Sequence, residues 1–349
     1  MRSRSAVGVA LCAAAQVMLG VSVPVTQVLL RYPIFAGQAL RYGLAGALLV
    51  AVAVAPGGIR RTEQRRATAS AISPRKWCWL ALLAATGLVG YNACLVVALR
   101  HADAATAASI IGAVPIAVAL LAPLVNRRLP QPRLILAAAV VVGGTLLVQG
   151  AGSASVIGIV ASVGALIGDV AFALIAAKLV PSLGPVRVAA FSCVISVPML
   201  VGASVLAGEA ASWRIPTRAE GLALAYLGVC LTAVGFLLWF RGLQMAKVER
   251  GALTVGLVPL AAAVTWAIHA RALPPLPQLL GIGIVVAGLV IGLSSLPRPR
   301  PPSASRNGAR QVVPLPASGQ VRVALHHVQR STDESGARVM PAASLRRSG

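Results

Sequence analysis

Apolar residues along this chain come in long runs rather than in alternation. Ten such runs fill residues 6 to 296, near 6–30, 34–55, 77–99, 104–125, 133–149, 156–178, 187–207, 220–242, 250–269 and 276–296. Short groups of charge, proline and glycine divide them. About 20 residues at about 1.5 Å rise cross a hydrocarbon core of about 30 Å. Lipid offers the backbone no hydrogen bonds, so each run is expected to be a helix. The narrowest division lies between 77–99 and 104–125, where Arg100, His101 and Asp103 alone mark a tight hairpin. The opening Met1-Arg-Ser-Arg followed by apolar sequence looks like a signal peptide. That run continues to Leu30 and further spans follow, so it is read as a retained first helix.

The spans repeat. Residues 99–144 align without gaps on 243–288 at a constant offset of 144 residues. Gly112, Val114, Pro115, Arg127, Leu129, Pro130 and Gly144 meet Gly256, Val258, Pro259, Arg271, Leu273, Pro274 and Gly288. A repeat of five spans is odd-numbered, so its second copy must enter the membrane from the opposite side, an arrangement found in transporters. The expected fold is therefore an all-α polytopic membrane protein of about ten transmembrane helices, built as two inverted five-helix repeats over 1–149 and 150–296. Pro115 and Pro259 fall about halfway along equivalent spans, where each would remove a backbone hydrogen bond and permit a kink. They are the candidate hinges.

Composition agrees with lipid as the solvent: 58% of residues are hydrophobic and 11% charged. The net charge of +23 would suit nucleic acid, but the cations fall between spans or in the tail, not on one folded face. Nucleic acid is not an expected partner; membrane lipid is. With the amino terminus inside, only Arg31, Arg100, Arg214, Arg218 and Arg271 lie outside, about a third of the number facing the cytoplasm. Both termini are expected in the cytoplasm, in a cell membrane. The stretch 297–349, rich in Pro, Ser and Arg, is expected to be a disordered basic tail able to meet anionic lipid. The five cysteines lie in apolar runs without metal-ligand spacing, and no metal or cofactor is expected.

In Ala98-Leu-Arg-His-Ala-Asp-Ala-Ala-Thr-Ala-Ala-Ser-Ile-Ile-Gly-Ala-Val-Pro115, in Tyr226-Leu-Gly-Val through Leu238-Trp-Phe, and in Leu257-Val-Pro259, the chain resembles the EamA-type transporters of the drug/metabolite transporter superfamily. The resemblance covers residues 6 to 296. It implies ten helices in two inverted repeats, a central cavity, and alternating-access movement of small organic solutes, often outward. It names no substrate. Members often carry Gly-Glu after the fourth and ninth helices, where this chain has Asn126-Arg127-Arg128 and His269-Ala270-Arg271. Members often place Trp in the sixth helix where this chain has Asp169, followed by Phe172 and Lys178.

Asp169 is the residue that most invites chemistry. It lies near the middle of its span, where a charged carboxylate costs about 2.5–3.5 kcal/mol on insertion scales. It needs a partner or a proton. One reading is a proton-coupling or substrate-ammonium site; the other is a structural pair with Arg41 or a hydrogen-bonded protonated acid. Arg41 sits about 10 Å below the outer surface by helix rise and could hold a substrate carboxylate with its planar fork, or serve packing and gating. Gln16, Tyr91 and Asn92 are polar at depth and would line a cavity or bond helix to helix. Trp77 and Trp79 suit an interfacial belt, Trp239 and Trp266 a belt or cavity wall. Gly164 to Gly168 and Gly288 to Gly292 have the spacing for close helix approach.

No phosphate loop, G-x-S-x-G, H-E-x-x-H or paired-cysteine motif is present, which argues against an ATP-driven pump in one chain and against an enzyme. The expectation is a secondary transporter of a small-molecule substrate, with protons as the candidate coupling ion. An uncoupled facilitator or lipid-linked sugar translocator of the same fold, and a membrane enzyme or assembly factor, stay open as alternatives.

Overall fold

The computed structural model describes residues 2–29, 31–54, 72–150, 152–271 and 273–294. The arginines at 60, 61, 65 and 66 and the tail 297–349 lie outside the described residues. Among the described residues ten helices are long and apolar enough to cross a membrane: α1 Arg4–Gln27, α2 Ile34–Val54, α3 Pro74–His101, α4 Ala104–Val125, α5 Pro132–Gln149, α6 Val156–Leu183, α7 Pro185–Leu206, α8 Arg218–Met245, α9 Val248–Ile268 and α10 Leu276–Ser294. Among the described residues there is no strand, only an isolated bridge between Ala102 and Ala154.

Local sequence sets the ends. Pro74, Pro132 and Pro185 begin α3, α5 and α7, where the missing N–H is one that no helical partner would have met. Thr217 and Glu220 close a capping box at the start of α8. Gly184, at φ 81°, ends α6 and starts α7. This differs from the expected end near residue 178, which took Lys178 as a stop. Lys178 stays inside the helix because its Nζ lies over the Trp79 ring, 3.8 Å from the centroid, so the ammonium is accommodated without leaving the bundle.

Packing follows the repeat. α5 lies on α10, α2 on α7, α1 on α8 and α3 on α6. Exchanging the two sets of five helices maps α1–α8 onto α6–α3 and returns the other two pairs to themselves, as a two-fold axis between inverted halves requires. Smaller features repeat at the same offset of 144 residues. Arg127 and Arg271 both turn left-handed, with φ 52° and 50°. A π-helical turn occupies Ala84–Gly90 in α3 and Leu227–Val234 in α8.

The two proline helices are interrupted, though not at the prolines. α4 consists of Ala104–Ile111 and Val114–Val125, joined by a turn at Gly112 and Ala113. α9 consists of Val248–Leu253, a 3₁₀ turn Thr254–Gly256, and Leu257–Ala270. Pro115 and Pro259 sit in the first turn of the restarted helix, where their fixed φ is compatible with helix and their lost N–H has no helical acceptor. The break precedes each proline; the expected mid-helix kink is replaced by a restart.

Candidate functional site

A cavity of about 470 Å³ lies between the two halves of the bundle. Gln16 of α1, Arg41 of α2, Tyr91 and Asn92 of α3 and Asp169 of α6 all line it, so five residues separated by up to 153 positions share one cavity. Pro259 also lines it, with Val255, Gly256 and Val258 from the interruption in α9; Gly112 and Val114 contribute the interruption in α4. Pro115 is buried beside it. The cavity reaches Leu99, Ala104 and Gln149, which stand at helix ends on one side of the bundle. Elsewhere α1 packs closely on α8: a Cβ on Gly8 would lie 2.8 Å from the Ala246 nitrogen and 2.9 Å from the Gly242 carbonyl oxygen.

Asp169 is half-buried on the cavity wall. Among the described residues no cation forms an ion pair with it; the ion pair between Arg214 and Glu220 stands well away, at the start of α8. Arg41 instead turns to the other half of the molecule. Its Nε donates to Thr232 Oγ1 at 2.6 Å and its Nη1 to Gln38 Oε1 at 3.4 Å, and the guanidinium lies 5.3 Å from the centroid of the Tyr42 ring. The alternative of an Asp169–Arg41 structural pair is therefore not what forms. The reason is geometric, since α2 packs on α7 and on the π-turn of α8, while α6, which carries Asp169, packs on α3.

The π-turn of α3 explains how Asp169 comes to face open space. Gly168 stands so close to α3 that a Cβ would lie 2.9 Å from the Thr86 carbonyl oxygen and 3.3 Å from Tyr91 Cα, and Gly87 accepts Phe172 with no side chain between them. The wide turn and the two glycines let α3 and α6 touch at residues 87 and 168. The neighbouring Asp169 and Tyr91 are then left to the cavity. Asn92 is spent partly on its own helix, its Nδ2 donating to the Leu88 carbonyl at 2.5 Å.

Sequence reasoning missed several lining residues. Tyr42, Phe172 and Phe236 form an aromatic side, with Phe172 and Phe236 centroids 5.4 Å apart and Tyr42 and Phe236 6.4 Å apart. Trp239, which sequence left between belt and wall, is buried at the cavity; Trp266 is 52% exposed on the outer surface. Thr145 and Gln149 also line the cavity; the charge of α5, Arg133, stands at its opposite end and drew no attention to them.

Outside the spans, the link between α3 and α4 is fixed to that between α5 and α6. Asp103 Oδ2 accepts from Ser153 N at 2.7 Å and from Ser153 Oγ at 2.9 Å, which holds its carboxyl below the usual carboxylate range. His101 offers its carbonyl to Ser155.

Interrupted helices paired across a pseudo-two-fold, with polar groups converging at mid-depth, define a multi-pass membrane transporter. The chain belongs to the EamA-like transporter family, whose model matches residues 6–149 and again 156–293. It is similar to the "Uncharacterized transporter YyaM" of Bacillus subtilis (strain 168), with 26% identity over 262 residues, covering 72% of this chain and 82% of that protein. A solved structure described only as "Crystal structure of protein" shares the fold at a TM-score of 0.67 and 17% identity, over 82% of this chain and 96% of that one.

Proposed function

We propose that this transporter is a secondary active exporter of small metabolites or drugs in the cell membrane, with both termini cytoplasmic and the two five-helix repeats alternating access to one cavity. Gln16, Arg41, Tyr91, Asn92 and Asp169 meet the solute, and the interruptions before Pro115 and Pro259 are the hinges. In this orientation the cavity extends toward the outer ends of α3 and α5.

The observation that carries the coupling is the unpaired Asp169. A carboxylate at mid-depth without a cation is costly when charged, so it takes a proton or a solute cation in turn. If the two compete for it, each cycle exchanges inward proton movement for outward solute movement. The test starts from metabolites retained by cells that lack the protein. Those solutes are then loaded into proteoliposomes, and flux is driven by a pH gradient. Flux should follow the gradient in the wild type and lose that dependence in Asp169→Asn. Gradient-driven flux that survives the substitution removes Asp169 from coupling, and flux indifferent to any gradient in the wild type means a facilitator.

A further inference from the structure

Thr232 stands out because the cavity described above does not include it. It is fully buried, 191 positions from Arg41, and belongs to the π-turn of α8. Its hydroxyl has one proton, and that proton goes to the Leu227 carbonyl five residues earlier, at 2.9 Å. Only lone pairs remain, and Arg41 Nε occupies one at 2.6 Å. The oxygen can therefore act on Arg41 solely as an acceptor. Gly228, one residue into the same turn, supplies the room: a Cβ there would lie 3.1 Å from the Arg41 carbonyl oxygen. The π-turn thus brings α2 close and fixes the direction of its guanidinium at once.

The remainder of the guanidinium is not consumed. Arg41 Nη1 reaches Gln38 at a long 3.4 Å, and Nη2 has no hydrogen-bond partner among the described residues, while the residue lines the cavity. A planar fork anchored through Nε and open at its Nη edge is the geometry that receives an oxyanion end-on. We propose that Thr232 is the positioning residue of an anion-recognition point, in which Arg41 receives the acidic group of the transported solute, a carboxylate or other oxyanion on a small organic body. This rests on the cavity being the solute's path. Because Arg41 comes from the first half and Thr232 from the second, the point is assembled only while α2 and α8 stay in this register. The acidic group is then held in one access state and released when the halves rock apart.

The experiment uses the full chain in detergent and needs no transport, so it fails separately from the flux assay above. Arg41 is modified with phenylglyoxal and its labelling read by peptide mass spectrometry, with benzoate as the protecting anion and benzylammonium as the cationic control. In the wild type benzoate should protect Arg41 and benzylammonium should not. Thr232→Val, which keeps shape and deletes the acceptor, should raise the half-protecting benzoate concentration about tenfold or more, the effect of losing one hydrogen bond to a charged group. Thr232→Ser, which keeps the hydroxyl, should stay within about threefold of the wild type. Equal protection in Thr232→Val and wild type, or protection by benzylammonium as strong as by benzoate, overturns the proposal. If Thr232→Val does not fold, the serine variant decides alone, because a tenfold loss there contradicts a role carried by the hydroxyl.

Discussion

Val141 and Val285, both fully buried, face each other across α5 and α10, and each backbone nitrogen stands over the other helix's glycine. A Cβ on Gly144 would lie 2.7 Å from Val285 N, and a Cβ on Gly288 would lie 2.8 Å from Val141 N. The two contacts are the same contact made twice, since Gly288 follows Gly144 and Val285 follows Val141 by the same 144 positions. The local two-fold axis of the molecule passes between these helices. Dispersion between closely approaching backbones, rather than burial from water, holds such a seam in lipid.

Gly144→Ala and Gly288→Ala should consequently destabilise to similar extents. A methyl group has nowhere to go at either place, and overpacking costs about 1–3 kcal/mol. Gly143 and Gly283 are the controls, because a Cβ on either meets nothing within 4 Å. Thermal unfolding in detergent should show both seam variants falling and both controls unchanged or slightly raised. A seam variant as stable as its control would remove the close approach as a source of stability.

Glu209 ties the halves together away from this seam. Its carboxylate accepts from the Ile34, Phe35 and Ala36 backbone N–H groups, the first at 2.9 Å, and from Ser204 Oγ at 2.7 Å. Three orphan donors at the start of α2 are thus met by a residue in the link between α7 and α8. Glu209→Ala should cost about 0.5–2 kcal/mol, the range measured for lost helix caps. Glu209→Gln, which keeps one acceptor, should recover part of the melting temperature; an alanine variant melting like the wild type would show that water replaces the cap without loss.

Much of this architecture could be read from the chain. Ten helices follow from runs of apolar residues, because lipid leaves backbone groups no other partner. The five candidate residues line one cavity because a polar side chain at depth has few places to point. What escaped the sequence depends on contacts between distant positions. Lys178 reads as a helix end until Trp79 is seen beneath it. Thr232 is one hydroxyl inside an apolar stretch, and only the docking of α2 gives it a partner. The π-turns leave no mark in composition, since one extra residue in a turn changes neither hydropathy nor charge.

The Asp103 link should respond to acid. Hydrogen bonds from Ser153 favour the charged carboxyl and lower its pKa in the folded protein. A depressed carboxylate contributes stability that is present above its unfolded pKa and is lost as pH falls through its folded value. The tie between the two links should therefore be intact at neutral pH and loosen below the usual carboxylate range. Hydrogen exchange at the Ser153 amide, corrected for intrinsic rates, should show protection at neutral pH that Asp103→Asn reduces, with the two proteins converging in acid. Equal protection in both proteins at neutral pH would mean that the side chain does not hold the link.

Gly168 gives the sharpest test of how the carboxylate next to it is placed. A methyl group there would meet the Thr86 carbonyl oxygen and the Tyr91 backbone, and neither can step aside as the end of a flexible side chain could. Gly168→Ala should push α6 from α3 and carry Asp169 with it, because helix geometry fixes one residue relative to the next. Displacement of about 1 Å at a binding group can reduce function by about a hundredfold, whereas overpacking alone costs about 1–3 kcal/mol in stability. Solute flux in proteoliposomes should thus fall much further in Gly168→Ala than in Gly144→Ala, although both lose stability similarly. Parallel losses of flux in the two variants would show that α3 and α6 matter to the fold alone, and that the π-turn has no special part in presenting Asp169 to the cavity.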